Sequence, residues 1–153
     1  MRMNNLVSVI IPLYNHEKFI EAAIESVISQ TVSAGEIIVV NDAGEDVSDI
    51  INSFSDPRIK YFKHQKNKGL AAARNSGINN STGKYIAYLD DDDAYYPMHL
   101  ITLVRFLENN NIKVAYTDAY KLNQILINND YVTIGKELSY SHSFDYKKML
   151  VGN

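Results

Sequence analysis

The sequence predicts an α/β domain with a largely parallel sheet, and two patterns carry that prediction. Short apolar runs alternate with amphipathic stretches of helical period along most of the chain, as parallel strands joined by helical crossovers require. Acidic and turn-forming residues gather just past the ends of those runs, at Asn41-Asp42 and at Asp90 to Asp93.

Each element follows from its own residues. Val7 to Ile11 is a buried strand closed by Pro12. Phe19, Ile20, Ala23, Ile24, Val27 and Ile28 recur at intervals of four and mark one face of a helix, with Asn15 as its expected cap. Ile37 to Val40 is a second strand, and Val47, Ile50, Ile51 and Phe54 mark a shorter helix that ends at Asp56-Pro57. A third strand is expected over Ile59 to Phe62. The Ala-rich stretch Gly69 to Asn80 follows as a helix, which Gly77 weakens by about 1 kcal/mol relative to alanine. Lys84 to Leu89 reads as the fourth strand, Pro97 as the first residue of the next helix, and Ile112 to Tyr116 as a fifth strand. Beyond Asp118, Leu122 to Ile127 and Tyr131 to Ile134 flank Asn128-Asn129-Asp130 and predict a hairpin. A weak helical tail is expected at Tyr146 to Leu150.

Composition narrows the function classes. The chain has 153 residues, enough for a single domain spanning 1–153 that buries roughly two thirds of its unfolded surface. With no cysteine, disulfides, thiolate nucleophiles and cysteine-ligated zinc are excluded. Fifteen basic against 18 acidic residues, a net charge of −3 without a basic run, argue against nucleic acid as a partner. No stretch approaches the ~20 apolar residues of a membrane span, and the expectation is a soluble cytoplasmic protein, or one working at the cytoplasmic face of a membrane. Several fingerprints are missing. The sequence contains no Gly-x-Gly-x-x-Gly, no P-loop and no Gly-x-Ser-x-Gly elbow.

Parallel strands bring Pro12 to Asn15, Asn41 to Gly44 and Asp90 to Asp93 to one edge of the sheet, where open α/β sheets bind ligands. Four adjacent carboxylates raise one another's pKa values unless a cation compensates. A hard divalent ion such as Mg²⁺ takes oxygen ligands from carboxylates and phosphates. Alternation along the turn would present Asp90 and Asp92 together. Arg74 could reach a phosphate, while the small residues around it serve equally well for close helix packing. The histidines lack metal-ligand spacing and read mostly as surface residues, with His99 a minor candidate beside the acidic turn.

Four stretches occur in order: Val7-Ser-Val-Ile-Ile-Pro-Leu-Tyr-Asn15, Glu36-Ile-Ile-Val-Val-Asn-Asp42, Asn67-Lys-Gly-Leu-Ala-Ala-Ala-Arg-Asn-Ser-Gly77, and Gly83-Lys-Tyr-Ile-Ala-Tyr-Leu-Asp-Asp-Asp-Asp93 with Pro97. Together they resemble the family 2 glycosyltransferases of the GT-A fold. That resemblance implies a Rossmann-like sheet flanked by helices and ending in a hairpin. The donor-binding core would cover about 6–117, and the hairpin with part of the acceptor region about 118–153. It also implies inverting, divalent-metal-dependent transfer from a nucleotide-diphosphate sugar, UDP-linked, to a glycan, lipid-linked or other hydroxyl acceptor in polysaccharide biosynthesis.

Carried over by residue, the resemblance assigns Pro12, Leu13 and Tyr14 to the base and ribose and Asp42 to the base. Asn41 stands where many members have a first aspartate. Asp92 is implied as the direct ligand of Mn²⁺ or Mg²⁺, with Asp90 or Asp91 touching ribose or a metal-bound water, and Asp90 as the second metal ligand. Arg74 is implied as a diphosphate or structural contact. The general base has no matching residue: neither Glu137 nor Asp145 sits in a family motif. The chain therefore reads as a fragment lacking the C-terminal acceptor half. An apolar face left open near Tyr116 to Ile134 would favour a homodimer. Two other readings are a nucleotide-sugar-binding module without turnover and a nucleotidyltransferase, which would carry a glycine-rich basic loop after the first strand.

Overall fold

The computed structural model describes residues 6–128 and 130–139. The chain divides into two compact units, 1–105 and 106–153. Four strands build the sheet of the first: β1 (Val7–Leu13), β2 (Glu36–Asn41), β3 (Ile59–Lys63) and β4 (Tyr85–Tyr88). Their order is β3-β2-β1-β4 and every pairing is parallel. The chain steps outward from β1 to β3, then returns to the other side of β1 for β4, so the order reverses between β1 and β4. Ligands bind at such a reversal, beyond the carboxyl ends of the strands.

β1 and β2 are buried along their whole length, which explains their unbroken apolar runs. Val7, Val9, Ile11 and Leu13 face a large core with Ile37 and Val39. That core is filled by α1 (Ile20–Ile28), α2 (Ser48–Ser53) and the start of α4 (His99–Asn110). Ile10, Ile38 and Val40 face the opposite side and meet Ala73 of α3 (Leu70–Asn79). Gly77 belongs to that contact: a Cβ there would collide with the Ile10 side chain. Its cost in helix propensity is the condition for α3 lying close to the sheet.

Four expectations need correction. β1 does not stop at Pro12 but runs on to Leu13. The carbonyls of Leu6 and Ile10 bond Tyr85 and Leu89, so Pro12, on the same side, faces the place where β4 has ended and no ladder partner requires its missing N–H. Asn15 is not the cap of α1: it takes a left-handed φ of 58°, and the helix starts at Ile20 after a turn closed by Phe19 N–H on His16 O. Pro97 precedes α4 by two residues, because its carbonyl accepts from Thr31 rather than from a helical amide. Ile112 to Tyr116 is not a strand: among the described residues it pairs with none, and Val114 is 80% exposed. β-forming side chains make a strand only where a partner strand is available.

In the second unit, β5 (Ala119–Ile127) and β6 (Asp130–Ser139) form the expected hairpin, with Ile127 opposite Asp130 and Asn128 at a φ of 51°. Leu122, Leu126 and Ile134 are exposed on it. The tail expected to be helical at 146–150 lies outside the described residues. No helix among the described residues is long and apolar enough to cross a membrane.

Candidate nucleotide-sugar site

The carboxyl ends of β1, β2 and β4 border a cleft of about 340 Å³. It is lined by Pro12, Leu13, Tyr14, His16, Asp42, Asn67, Gly69, Leu70, Ala73, Asp90, Asp91 and Asp92. Its size falls in the range of small-molecule sites. Four sequence segments far apart in the chain thus meet where the topology reverses.

Asn41 builds the turn that presents Asp42. Its Oδ1 accepts Gly44 N–H at 2.7 Å, while its Nδ2 donates to Glu45 O and to the Tyr61 hydroxyl. An aspartate could supply the acceptor but neither donor, so asparagine here is a turn-building residue. Ala43 follows at a φ of 68°, a conformation costly for a residue with a Cβ and concentrated at functional sites.

Asp42 is only 3% exposed. Burial pushes its carboxyl pKa up, but the His64 ring and the Lys68 and Gly69 amides outweigh burial and hold it below the usual range. Those amides open α3, and Gly69 takes a φ of 87° to aim its N–H at the carboxylate. His64 is itself nearly buried. Its role was not legible in sequence, since it follows β3 by one residue and meets Asp42 only through the β2–β3 pairing.

Of the four aspartates, Asp91 is the buried one. It accepts Tyr14 N–H at 3.1 Å and the His16 Nδ1 at 2.9 Å, tying the end of β1 to the acidic turn. The hydrogen bond to Asp91 raises the His16 pKa, and the Asp91, Asp92 and Glu17 charges add to it. Partial desolvation, then the charges of Asp92, Asp90 and Asp91, lift the Asp93 carboxyl above its ordinary value. Uncompensated negative charge therefore remains on this turn.

Among the described residues, His16, Asp91 and Asp92 form the one group offering three ligand atoms within 4.8 Å of one another. Asp90, expected beside Asp92 from simple alternation, is outside it; its carboxylate accepts Arg74 Nη2 at 2.8 Å. Arg74 lies outside the cleft lining, with its guanidinium over the Tyr88 ring and its buried Nε without a hydrogen-bond partner. His99 stacks on Tyr95 and burial lowers its pKa. Glu137 lies on β6, 3.8 Å from Lys121, and Asp145 is outside the described residues.

The family model described as glycosyl transferase family 2 matches residues 8–147. The chain belongs to this family. An uncharacterized glycosyltransferase of Rickettsia felis is 45% identical over 120 residues, 77% of this chain but 20% of that relative. An Escherichia coli UDP-Glc:alpha-D-GlcNAc-diphosphoundecaprenol beta-1,3-glucosyltransferase, WfaP, is 35% identical over 92% of this chain and 56% of its own. Crystal structures of Staphylococcus aureus TarS, including complexes with UDP and UDP-GlcNAc, match at a TM-score of 0.64 and 25% identity, over 69% of this chain. The fold is GT-A. The chain spans about a fifth of the Rickettsia relative and a third of the TarS fragment.

Proposed function

We propose that this chain is the donor-binding part of an inverting glycosyltransferase. It would pass a sugar from a uridine-diphosphate donor to a glycan or lipid-linked hydroxyl. The observation that carries the reading is the convergence of Pro12 to Tyr14, Asp42 and the Asp90 to Asp92 turn on one cleft at the topological reversal. The named specificity of WfaP and the UDP complexes of TarS support a uridine donor.

In this reading the cleft residues divide the donor between them. Pro12, Leu13 and Tyr14 flank the base and ribose, and the Asp42 carboxylate accepts from the base. The spacing of His16, Asp91 and Asp92 and the uncompensated charge of the turn fit a divalent cation, Mn²⁺ or Mg²⁺. Asp92 is the exposed carboxylate of that group, with Asp91 buried beside it and Asp90 assigned to the ribose. When bound, the cation neutralises the departing diphosphate as a Lewis acid. Asp91 acts in a second way: its bond from Tyr14 N–H sets the β1 end against the acidic turn. Arg74 orients Asp90 through its Nη2.

Calorimetric titration of UDP with and without Mn²⁺, on wild type and Asp92→Ala, tests this. Wild type should gain at least about tenfold in affinity from the metal, and the variant should lose that gain. Equal affinity in all four titrations would remove the metal from the reading. Absence of UDP binding to wild type would remove the donor.

A further inference from the structure

Residues 89–98, which carry the chain from β4 to α4, form neither strand nor helix. Their backbone polar groups therefore need partners from elsewhere. The acidic turn supplies one bond of its own, from Asp93 N–H to Asp90 O at 3.1 Å. Before it, Leu89 N–H donates to Ile10 O at 3.1 Å and ties the segment to β1. After it, the partners come from Ser26 in the last turn of α1 and from Gln30 and Thr31 just beyond that helix.

Gln30 is the centre of this second anchor. It is 6% exposed, and a buried amide is costly unless its hydrogen bonds are made. Nε2 donates to Tyr96 O at 2.8 Å and to Ser26 O at 3.0 Å, and Oε1 accepts Leu100 N–H at 3.0 Å. Ser26 Oγ accepts Tyr95 N–H at 3.1 Å, and the Thr31 amide and hydroxyl both donate to Pro97 O. The Tyr95 hydroxyl donates back to Tyr88 O. Tyr95, Tyr96, Pro97 and Leu100 are thus fastened in succession, and the acidic turn is held between this anchor and β1.

What the anchor opposes is electrostatic. Adjacent carboxylates repel one another and drive an unsupported turn apart. Yet the ligand atoms of His16, Asp91 and Asp92 lie within 4.8 Å of one another. Asp91 is fastened directly, by Tyr14 N–H and His16, whereas Asp92 is exposed and follows the course of its backbone. Neither Gln30 nor Ser26 lines the cleft, so each acts only through the segment it fastens.

We propose that Gln30, helped by Ser26, is a positioning residue: by fastening the segment after the acidic turn, it holds Asp91 and Asp92 beside His16 before a cation arrives. The proposal rests on the donor reading above and names what organises its metal side in advance.

Calorimetry of UDP with and without Mn²⁺ tests this on the full chain, as wild type, Gln30→Met, Ser26→Ala and Glu36→Ala. Methionine keeps the volume of Gln30 and removes its three hydrogen bonds. Ser26→Ala takes the acceptor from Tyr95 N–H within a helix that tolerates alanine. Glu36→Ala weakens the fold from the opposite edge of the sheet and serves as the stability control. The metal should raise wild-type affinity at least about tenfold, and Glu36→Ala should keep that gain. Gln30→Met should gain less than about threefold, and Ser26→Ala an intermediate amount, since loss of outer support lowers metal affinity roughly 10- to 100-fold. Affinity for UDP without metal should stay within about twofold throughout. Amide exchange of residues 90–98, read by mass spectrometry without metal or nucleotide, should quicken in Gln30→Met and Ser26→Ala while β1 stays protected.

If both anchor variants keep the wild-type metal gain, or exchange over 90–98 is unchanged, the proposal falls and the donor reading stands. Should Gln30→Met fail to fold, Ser26→Ala decides by the same criterion. Loss of the gain in Glu36→Ala as well would make the effect one of general stability and overturn the proposal. If wild type gains nothing from Mn²⁺, the metal reading and the proposal fall together.

Discussion

Two buried carboxylates bracket the same strand, and they have opposite characters. Glu36 opens β2 and Asp42 follows its last residue. Burial pushes the Glu36 pKa up, but Lys60 Nζ, the Ser8 hydroxyl and both the amide and the hydroxyl of Thr82 outweigh it and hold the group at about 2. Those donors come from β1, from β3 and from the approach to β4, so one side chain staples the amino-terminal edge of the sheet. A smaller cleft of about 260 Å³ lies there, yet its charges are spoken for: Arg58 pairs with Asp56, and Lys60 with Glu36. At the other edge Asp42, held by His64, Lys68 and Gly69, lines the cleft, and Asp91 and Asp92 share a turn whose charge is not neutralised. Burial of an acid does not by itself mark a site. Spare charge facing a cleft does.

The largest effect should come from removing the staple. Glu36→Ala leaves the buried Ser8 hydroxyl and the Thr82 amide and hydroxyl without their acceptor and should cost roughly 3 kcal/mol in denaturant unfolding. UDP affinity should stay within about twofold, because the change lies at the far edge of the sheet. A variant as stable as wild type would end the contrast between the two edges. Acid titration sharpens the same point. The folded pKa is depressed below the ordinary 4.5, so the Glu36 contribution is complete above that value and is lost as pH falls towards 2. Unfolding followed between those limits should steepen in wild type and flatten in Glu36→Ala. The smallest effect belongs to His16→Ala. The His16 side chain is 48% exposed, and its pair with Asp91 should contribute less than about 0.5 kcal/mol to stability. A loss of several times that, read from the same denaturation curves, would mean that the site edge holds the fold together after all.

Much of the fold was legible because buried parallel strands leave unbroken apolar runs. Val7 to Ile11 and Ile37 to Val40 located β1 and β2 to within two residues at each end. The hairpin that pairs β5 with β6 was equally plain. The misreadings at Asn15, Pro97 and Ile112 share a cause. Each residue has a strong local preference, and each was overruled by a partner or a vacancy elsewhere: the Asp91 clasp, the Thr31 donors and, among the described residues, the lack of a neighbouring strand. The family motifs placed Pro12 to Tyr14, Asp42 and the aspartate run at the cleft. His16 and His64 were passed over, since no spacing in the chain links either to its carboxylate.

The sequence alone determined the alternation of elements, the collection of acids at the carboxyl edge and the membership in family 2, because these depend on local pattern and on ordered short stretches. Only the tertiary structure decided how each acid is held. It buried Asp91 under Tyr14 and His16, turned Asp90 towards Arg74, and set His64 between Asp42 and Ser76. Side chains carry the same chemical potential at every position in a list of residues. Their protonation, orientation and spare capacity are set by neighbours that the crossing order β3-β2-β1-β4 brings from 22 or more residues away along the chain for His64 and Asp42, and 75 for His16 and Asp91.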